Sequence, residues 1–234
     1  MRKEVILLLA DTHFPYHHID VFNFYESVKK KYKPQQVFHL GDMVDNHAIS
    51  YHESSPELQG ASDELDYAIT CVEELGKIFP KMTILTGNHD KLPIRKARTA
   101  GLPSRYIKNN KEVFNMPNGW EWKIEEKITM IDGRTLWMKH NLTKNVLEIA
   151  KYYNCCFACG HYHEAMTIES LQDYKYNVWG AICGCGVDDE SLAFEYNKGN
   201  LKRPMLGCIV VENGIPTLIR MKLDENKNWI GELQ

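Results

Sequence analysis

The sequence predicts an α/β protein in which two β-sheets pack together. Three observations carry that expectation. Apolar, strand-like runs at 4–10, 36–40 and 82–86 alternate with two stretches of helical period, 19–32 and 62–79. Such a strand–helix–strand–helix–strand series builds a mainly parallel sheet with its helices outside. Beyond residue 118 the texture changes to short alternating runs separated by turn signals. No repeat or low-complexity linker divides the halves, so residues 1–234 read as one domain with two packed sheets.

The elements follow in order. Residues 4–10 are apolar from Val5 onward, as in a strand covered on both faces, and they deliver Asp11, Thr12 and His13. In 19–32, Val21, Phe22, Tyr25, Val28 and Tyr32 recur near helical spacing, and Pro34 stops the helix. The strand at 36–40 delivers Gly41-Asp42-Met43-Val44-Asp45. A long loop is expected over 46–61. Leu65, Ala68, Ile69, Val72, Leu75, Ile78 and Phe79 then mark one helical face, which starts near Ser62 without a full capping box. The strand at 82–86 breaks at Gly87, where a residue without a side chain lets the chain turn sharply. Asn88, His89 and Asp90 come directly after it.

Residues 91–118 read as a second long loop, broken at Pro93, Pro103 and Pro117. Strands follow at 120–124, 127–131 and 135–139, the last two joined at the hairpin signal Asp132-Gly133. The third delivers His140. A helix is expected over 143–153, then a buried strand over 155–159 that ends in Gly160-His161-Tyr162-His163. Four further strands are expected at 164–170, 176–182, 205–211 and 215–221, the last pair joined at Glu212-Asn213-Gly214.

With 44% hydrophobic residues, 25% charged residues and a net charge of −3, the 234-residue chain has an ordinary globular composition. The whole molecule makes no electrostatic case for nucleic acid. No apolar run approaches the ~20 residues of a membrane span. The six apolar residues 5–10 are too few for a signal-peptide core. Most of the seven cysteines sit inside apolar runs, which predicts reduced, buried thiols in a cytoplasmic protein rather than a disulfide framework.

Polar side chains with metal-ligand chemistry follow five strand ends: Asp11 and His13, Asp42 and Asp45, Asn88 to Asp90, His140, and His161 with His163. Ligand sites of open α/β sheets gather outside the carboxyl ends of the strands. Convergence there would crowd carboxylates and imidazoles into a small volume, which is unfavourable unless cations neutralise them. Metal binding resolves the conflict.

The ordered set spans residues 11–163 and resembles the calcineurin-like metallophosphoesterases. The resemblance implies a four-layer αββα double β-sandwich of mixed sheets flanked by helices, with a binuclear metal centre. It implies one divalent ion on Asp11, His13 and His163, a second on Asn88, His140 and His161, and Asp42 bridging the two. The mixed nitrogen and oxygen donors suit Mn, Fe, Zn or Ni, with Mn²⁺ the first expectation. Two such ions about 3.5–4 Å apart clamp an in-line displacement at phosphorus and supply hydroxide near neutral pH. His89 is implied as the general acid, with Asp45 accepting from its other ring nitrogen. Asp90 is expected to close its loop by hydrogen bonds.

Other residues divide between structural and functional readings. His39 lies inside a strand and reads as a packed histidine, and Cys155, Cys156, Cys159, Cys183 and Cys185 read as core rather than as a zinc cluster. His47 and His52 follow Asp45 and are candidates for touching substrate. So are Arg95 and Arg98, in a basic run with Lys91 and Lys96 that suits a solvated helix face equally well. Within the resemblance, Asn46-His47 stands where protein serine/threonine phosphatases have Arg-Gly. Asp45 stands where purple acid phosphatases have Tyr, and His89 where lipid-precursor pyrophosphatases have Arg. What remains is the phosphodiesterase and nuclease branch. The expected substrate is a phosphoester, with nucleotides and nucleic acids as candidates. The alternatives are a DNA or RNA nuclease and a non-catalytic binding module.

Overall fold

β1 (Val5–Leu9) consists of five apolar residues, all of them buried. Successive residues of a strand face opposite ways, so its side chains divide between two cores. Val5, Leu7 and Leu9 join a cluster with Phe24, Val28, Val72 and Leu75, whereas Ile6 and Leu8 join one with Leu136, Met138, Ala158 and Trp179. A strand without a polar face thus becomes central, with helices over one side and a second sheet over the other. The computed structural model describes residues 3–51, 57–188, 190–191 and 203–233.

β2 (Gln36–His39), β3 (Lys81–Leu85) and β4 (Gly119–Lys123) extend the sheet parallel to β1. β10 (Gly207–Glu212) and β11 (Ile215–Arg220) continue it antiparallel on the other side, giving the order β11-β10-β1-β2-β3-β4. In the second sheet β6 (Thr135–Lys139), β7 (Cys156–Cys159) and β9 (Asn177–Ile182) are parallel. β5 (Glu125–Thr129) and β8 (Thr167–Gln172) are its antiparallel edges. At the β10–β11 turn, Asn213 and Gly214 have φ of 49° and 83°, as a two-residue hairpin of this hand requires.

α1 (Val21–Tyr32) and α2 (Ala61–Ile78) cover the first sheet, and α5 (Val146–Tyr153) covers the second by packing Val146 and Ala150 on Trp137, Phe157 and Val178. The result is helix, sheet, sheet, helix, as expected. α1 ends where Lys33 turns left-handed at φ 51° and bonds its N–H to Lys29 O, just before Pro34 forbids another turn. Trp120 of β4 is 1% exposed and donates its Nε1–H to Phe79 O at 2.6 Å. Truncating such a residue to alanine costs about 3–5 kcal/mol.

The 91–118 stretch departs from its expectation as a loop. It holds α3 (Leu92–Thr99), a 3₁₀ turn at Ser104–Tyr106 and the short α4 (Asn110–Val113). Pro93 sits in the first turn of α3, where the missing N–H has no intrahelical acceptor to lose. Asn109 and Glu112 cap α4 reciprocally. In 46–61, a 3₁₀ turn occupies His47–Ile49 and α2 begins at Ala61. His52 lies outside the described residues.

Candidate metal centre

The parallel strands β1, β2, β3, β6 and β7 end at one edge of the sandwich, and the loops that follow are bound to one another. Asp11 N–H donates to Gly41 O at 3.0 Å, His13 N–H to Asp42 O at 3.1 Å, and Gly160 N–H to His140 O at 3.1 Å. Asp90 fastens the 41–45 loop to the 87–90 loop. Its carboxylate accepts from the N–H groups of Gly87, Asp42, Met43 and Val44 at 2.7, 2.9, 3.1 and 3.3 Å. The expectation that Asp90 closes its loop holds, and the clamp also reaches the neighbouring one.

This bracing carries strain. Asp11, His13, Asp42 and His161 have φ of 50°, 48°, 50° and 72°. Asp and His tolerate the left-handed region better than most residues, yet such conformations cost of order 1–3 kcal/mol each and gather at functional sites. Two glycines permit the close approach. A Cβ on Gly87 would fall 1.9 Å from Asp42 Oδ1, and one on Gly160 would fall 2.4 Å from Asp11 Oδ2.

Three groups of side chains bring ligand atoms within 4.8 Å of one another: Asp11, His13 and His163; Asp42, His140 and His161; and His13, Asp42 and His89. His13 Nδ1 lies 2.8 Å from Asp45 Oδ1, and His140 Nδ1 lies 3.0 Å from Leu40 O. An Nδ1–H donated to an oxygen leaves Nε2 of the neutral ring with its lone pair free, the tautomer a metal needs. His140 Nε2 lies 3.0 Å from Asp42 Oδ2 and 3.1 Å from Asn88 Oδ1. His13 Nε2 and His163 Nε2 are 3.1 Å apart, and His163 Nε2 is 3.4 Å from Asp11 Oδ1. Among the described residues, buried Asp11 Oδ1 has no hydrogen-bond partner. An orphaned carboxylate oxygen beside two ring nitrogens fits a divalent cation.

The electrostatics agree. Burial alone would push the Asp11 and Asp42 carboxyls up, but His163 beside Asp11 and His140 beside Asp42 outweigh it, lowering Asp11 and holding Asp42 well below the usual range. Asp45, also buried, is held low by hydrogen bonds from His13 and His89. The same carboxylates act on the imidazoles. Burial opposes charge on His140 and His89, yet Asp42 lifts His140 to about 9, and Asp45 with Asp42 lifts His89 to about 10. The carboxylates thus draw positive charge onto His89 and His140, whereas burial lowers His13 and His161.

Asp45 serves two rings. Its Oδ1 lies 2.7 Å from His89 Nδ1 as well as 2.8 Å from His13 Nδ1, so it links a candidate ligand to the candidate acid. His89 also donates its backbone N–H to Asp42 Oδ1 at 2.8 Å. His47 is 3% exposed, with its Nδ1 3.8 Å from Asp45 Oδ2 and its ring edge-on to Tyr16. Arg95 is exposed on α3 beside the Tyr51 ring, and with Lys91 and Lys139 it lines a pocket next to Asn88 and His140. Arg98 is exposed on the same helix, outside that lining. His39 packs within the sheet against Thr12, and burial lowers it to about 3. All seven cysteines are free and buried, and the metal-ligand groups among the described residues contain none of them.

Glu64 was not anticipated. It accepts from His47 N and Ala48 N at 2.6 and 2.7 Å, securing the chain that leaves Asp45. The signal was a carboxylate one turn before Ala68 on an apolar helix face.

Two mixed sheets with aspartates and histidines at their shared edge define a metal-binding α/β sandwich. The chain belongs to the calcineurin-like phosphoesterase family, whose model matches residues 5–184. That family is metal-dependent, and the His and Asp groups of this chain are positioned for metal. A search of curated proteins finds no match. Among solved structures, Vacuolar Protein Sorting 29 from Cryptosporidium parvum shares 13% identity at a TM-score of 0.52, covering 99% of this chain and 95% of that one. Chaetomium thermophilum Vps29 shares 13% at 0.50, covering 99% and 93%. YfcE, a phosphoesterase from E. coli, shares 12% at 0.49, covering 97% and 96%. At 13% identity the two Vps29 likenesses are ones of fold alone.

Proposed function

We propose that this protein hydrolyses phosphodiesters with two divalent metal ions, Mn²⁺ first among them. Asp11, His13 and His163 would hold one ion, Asn88, His140 and His161 the other, and Asp42 would bridge. The observation that carries the reading is His89, whose Nδ1 is 2.7 Å from Asp45 while its ring meets that of His13 edge-on at 4.6 Å. Its Nε2 would then face a group held at the metals.

The bound ions would supply Lewis acidity and an activated water. Asp42 would balance their charge between the two positions. Asp45 would keep the His13 lone pair directed at the metal and hold the His89 ring so that Nε2–H protonates the departing oxygen. A protonated leaving group matters most for an alkoxide, which favours diesters with sugar or lipid-alcohol leaving groups. His47, against Asp45, would act on this pair through its field, and Arg95 and Arg98 are proposed contacts for the rest of the substrate. The buried, free thiols fit a reducing compartment such as the cytoplasm. Among the described residues, no helix is long and apolar enough to cross a membrane.

The test is turnover by protein stripped of metal and reloaded with Mn²⁺. Bis-p-nitrophenyl phosphate, p-nitrophenyl phosphate and a labelled single-stranded oligonucleotide are compared. Faster diester than monoester turnover is expected, and a monoester preference overturns the assignment. Oligonucleotide cleavage redirects the reading to a nuclease. Inertness toward all three with both ions bound leaves the non-catalytic binding module.

A further inference from the structure

Beside Asn88 and His140 the candidate centre opens into a pocket of about 260 Å³, whose other walls include Lys91, Arg95, Lys139 and Ile124. We infer that this pocket binds a second phosphate of the substrate, next to the one that is hydrolysed. The inference rests on the proposed phosphodiesterase reading and names the substrate class, a nucleotide with a phosphate beyond the scissile one.

Position is the first argument. Asn88 and His140 face the metal position on one side and line this pocket on the other, so an anion seated there adjoins a phosphate held at the metals. Ligand pockets for whole small molecules run to about 300–1,000 Å³. This one suits a phosphate and part of its sugar rather than a whole nucleotide.

Charge is the second. Lys91 and Arg95 are one helical turn apart, with Arg95 N–H donating to Lys91 O at 3.0 Å. Like charges at that spacing repel along a helix. Lys91 also stands at the N-cap of α3, whose first turn has no acidic residue, so the positive end of the helix adds to the field it should oppose. Among the described residues neither cation has a carboxylate partner, and Arg95 instead faces the Tyr51 ring at 5.2 Å, which steadies a guanidinium without neutralising it. Lys139, across the pocket, is 3.1 Å from Glu125 and supplies a part-compensated third charge. Ile124, 66% exposed, offers an apolar ledge at the rim. An arrangement unfavourable in the protein by itself becomes favourable once a phosphate enters.

The experiment is calorimetric titration of the Mn²⁺-loaded protein with thymidine 3′,5′-bisphosphate and with thymidine 5′-monophosphate. The bisphosphate is expected to bind at least about tenfold tighter, the scale of one charge-assisted contact. In Lys91→Gln/Arg95→Gln that advantage is expected to fall to near onefold, while Lys111→Gln retains it. Arg95→Gln alone, with metal content measured, covers the case of a double variant that does not fold. Equal affinity for the two ligands in the unmodified protein overturns the inference, as does an advantage that survives the double substitution. Turnover of bis-p-nitrophenyl phosphate is measured in parallel. If it is absent while the binding advantage holds, the phosphodiesterase reading fails and the subsite stands. If it is present without the advantage, the subsite alone falls.

Discussion

Asp45 Oδ1 lies 2.7 Å from His89 Nδ1, and the same oxygen receives His13. One carboxylate therefore bears on both a proposed ligand and the proposed acid, and the backbone carbonyl of Asp45, 2.8 Å from His89 Nδ1, helps to hold the acid. Removing its charge in Asp45→Asn is expected to reduce kcat about 10–100-fold, as for groups that orient metal ligands, and to loosen the ion at His13. Steady-state kinetics with metal analysis checks it, and wild-type kcat with two ions bound would falsify the linkage.

His89→Ala separates the two tasks. The variant is expected to keep its metals and to lose about 10²–10⁴-fold in rate on diesters with alkoxide leaving groups. The loss on p-nitrophenyl esters should be much smaller, because that leaving group departs without a proton. Equal losses for both classes would remove His89 from the acid role.

Asp42 contacts both halves of the centre, with Oδ2 3.0 Å from His140 Nε2 and 3.9 Å from His13 Nε2. Asp42→Asn is expected to weaken both ions together. Two full metal equivalents and undiminished turnover in that variant would rule out the bridge.

Gly87→Ala tests the close approach of the loops. A Cβ 1.9 Å from Asp42 Oδ1 and 2.3 Å from Asp42 N cannot be accommodated without moving the loop. Destabilisation of about 1–3 kcal/mol is expected, as for other overpacked sites, together with impaired metal binding. A melting temperature and metal content like those of wild type would contradict the geometry.

The metal-free protein should respond to pH in a defined direction. His89 and His140 are raised from 6.5 to about 10 and about 9 by neighbouring carboxylates. Groups raised on folding stabilise the native state fully below the unfolded value and lose that contribution as pH rises through the folded one. Metal-free protein is thus expected to lose thermal stability between about pH 6.5 and 10, and His89→Ala to flatten part of that decline. A flat profile for the unmodified metal-free protein across this window would count against these charges.

Much of the centre was legible because its donors are local to strand ends. Apolar runs ending in Asp11, Asp42, Gly87, His140 and Gly160 fix where each donor emerges, and parallel order puts those ends on one edge. Contacts that depend on distant partners were not legible. Nothing near Asp45 in the chain shows that it serves His13 as well as His89, or that Glu64 reaches back to His47. Lys139 and Lys91 meet across a pocket only because β6 and α3 border the same two ligands. The 91–118 helices were missed for a different reason. Pro93 reads as a breaker unless it falls in a first turn, and the helix that Asn109 and Glu112 cap is only four residues long, too short to show a periodic apolar face.

The hold of Asp90 on two loops has a consequence for how the centre keeps its spacing. Since one buried carboxylate gathers N–H groups from Gly87 and from Asp42 through Val44, the spacing of the two loops is set by the protein's own hydrogen bonds as well as by anything they hold. A substitution that frees Asp90 would therefore let Asp42 and Asn88, which follow Gly41 and Gly87, drift apart even where both side chains are intact.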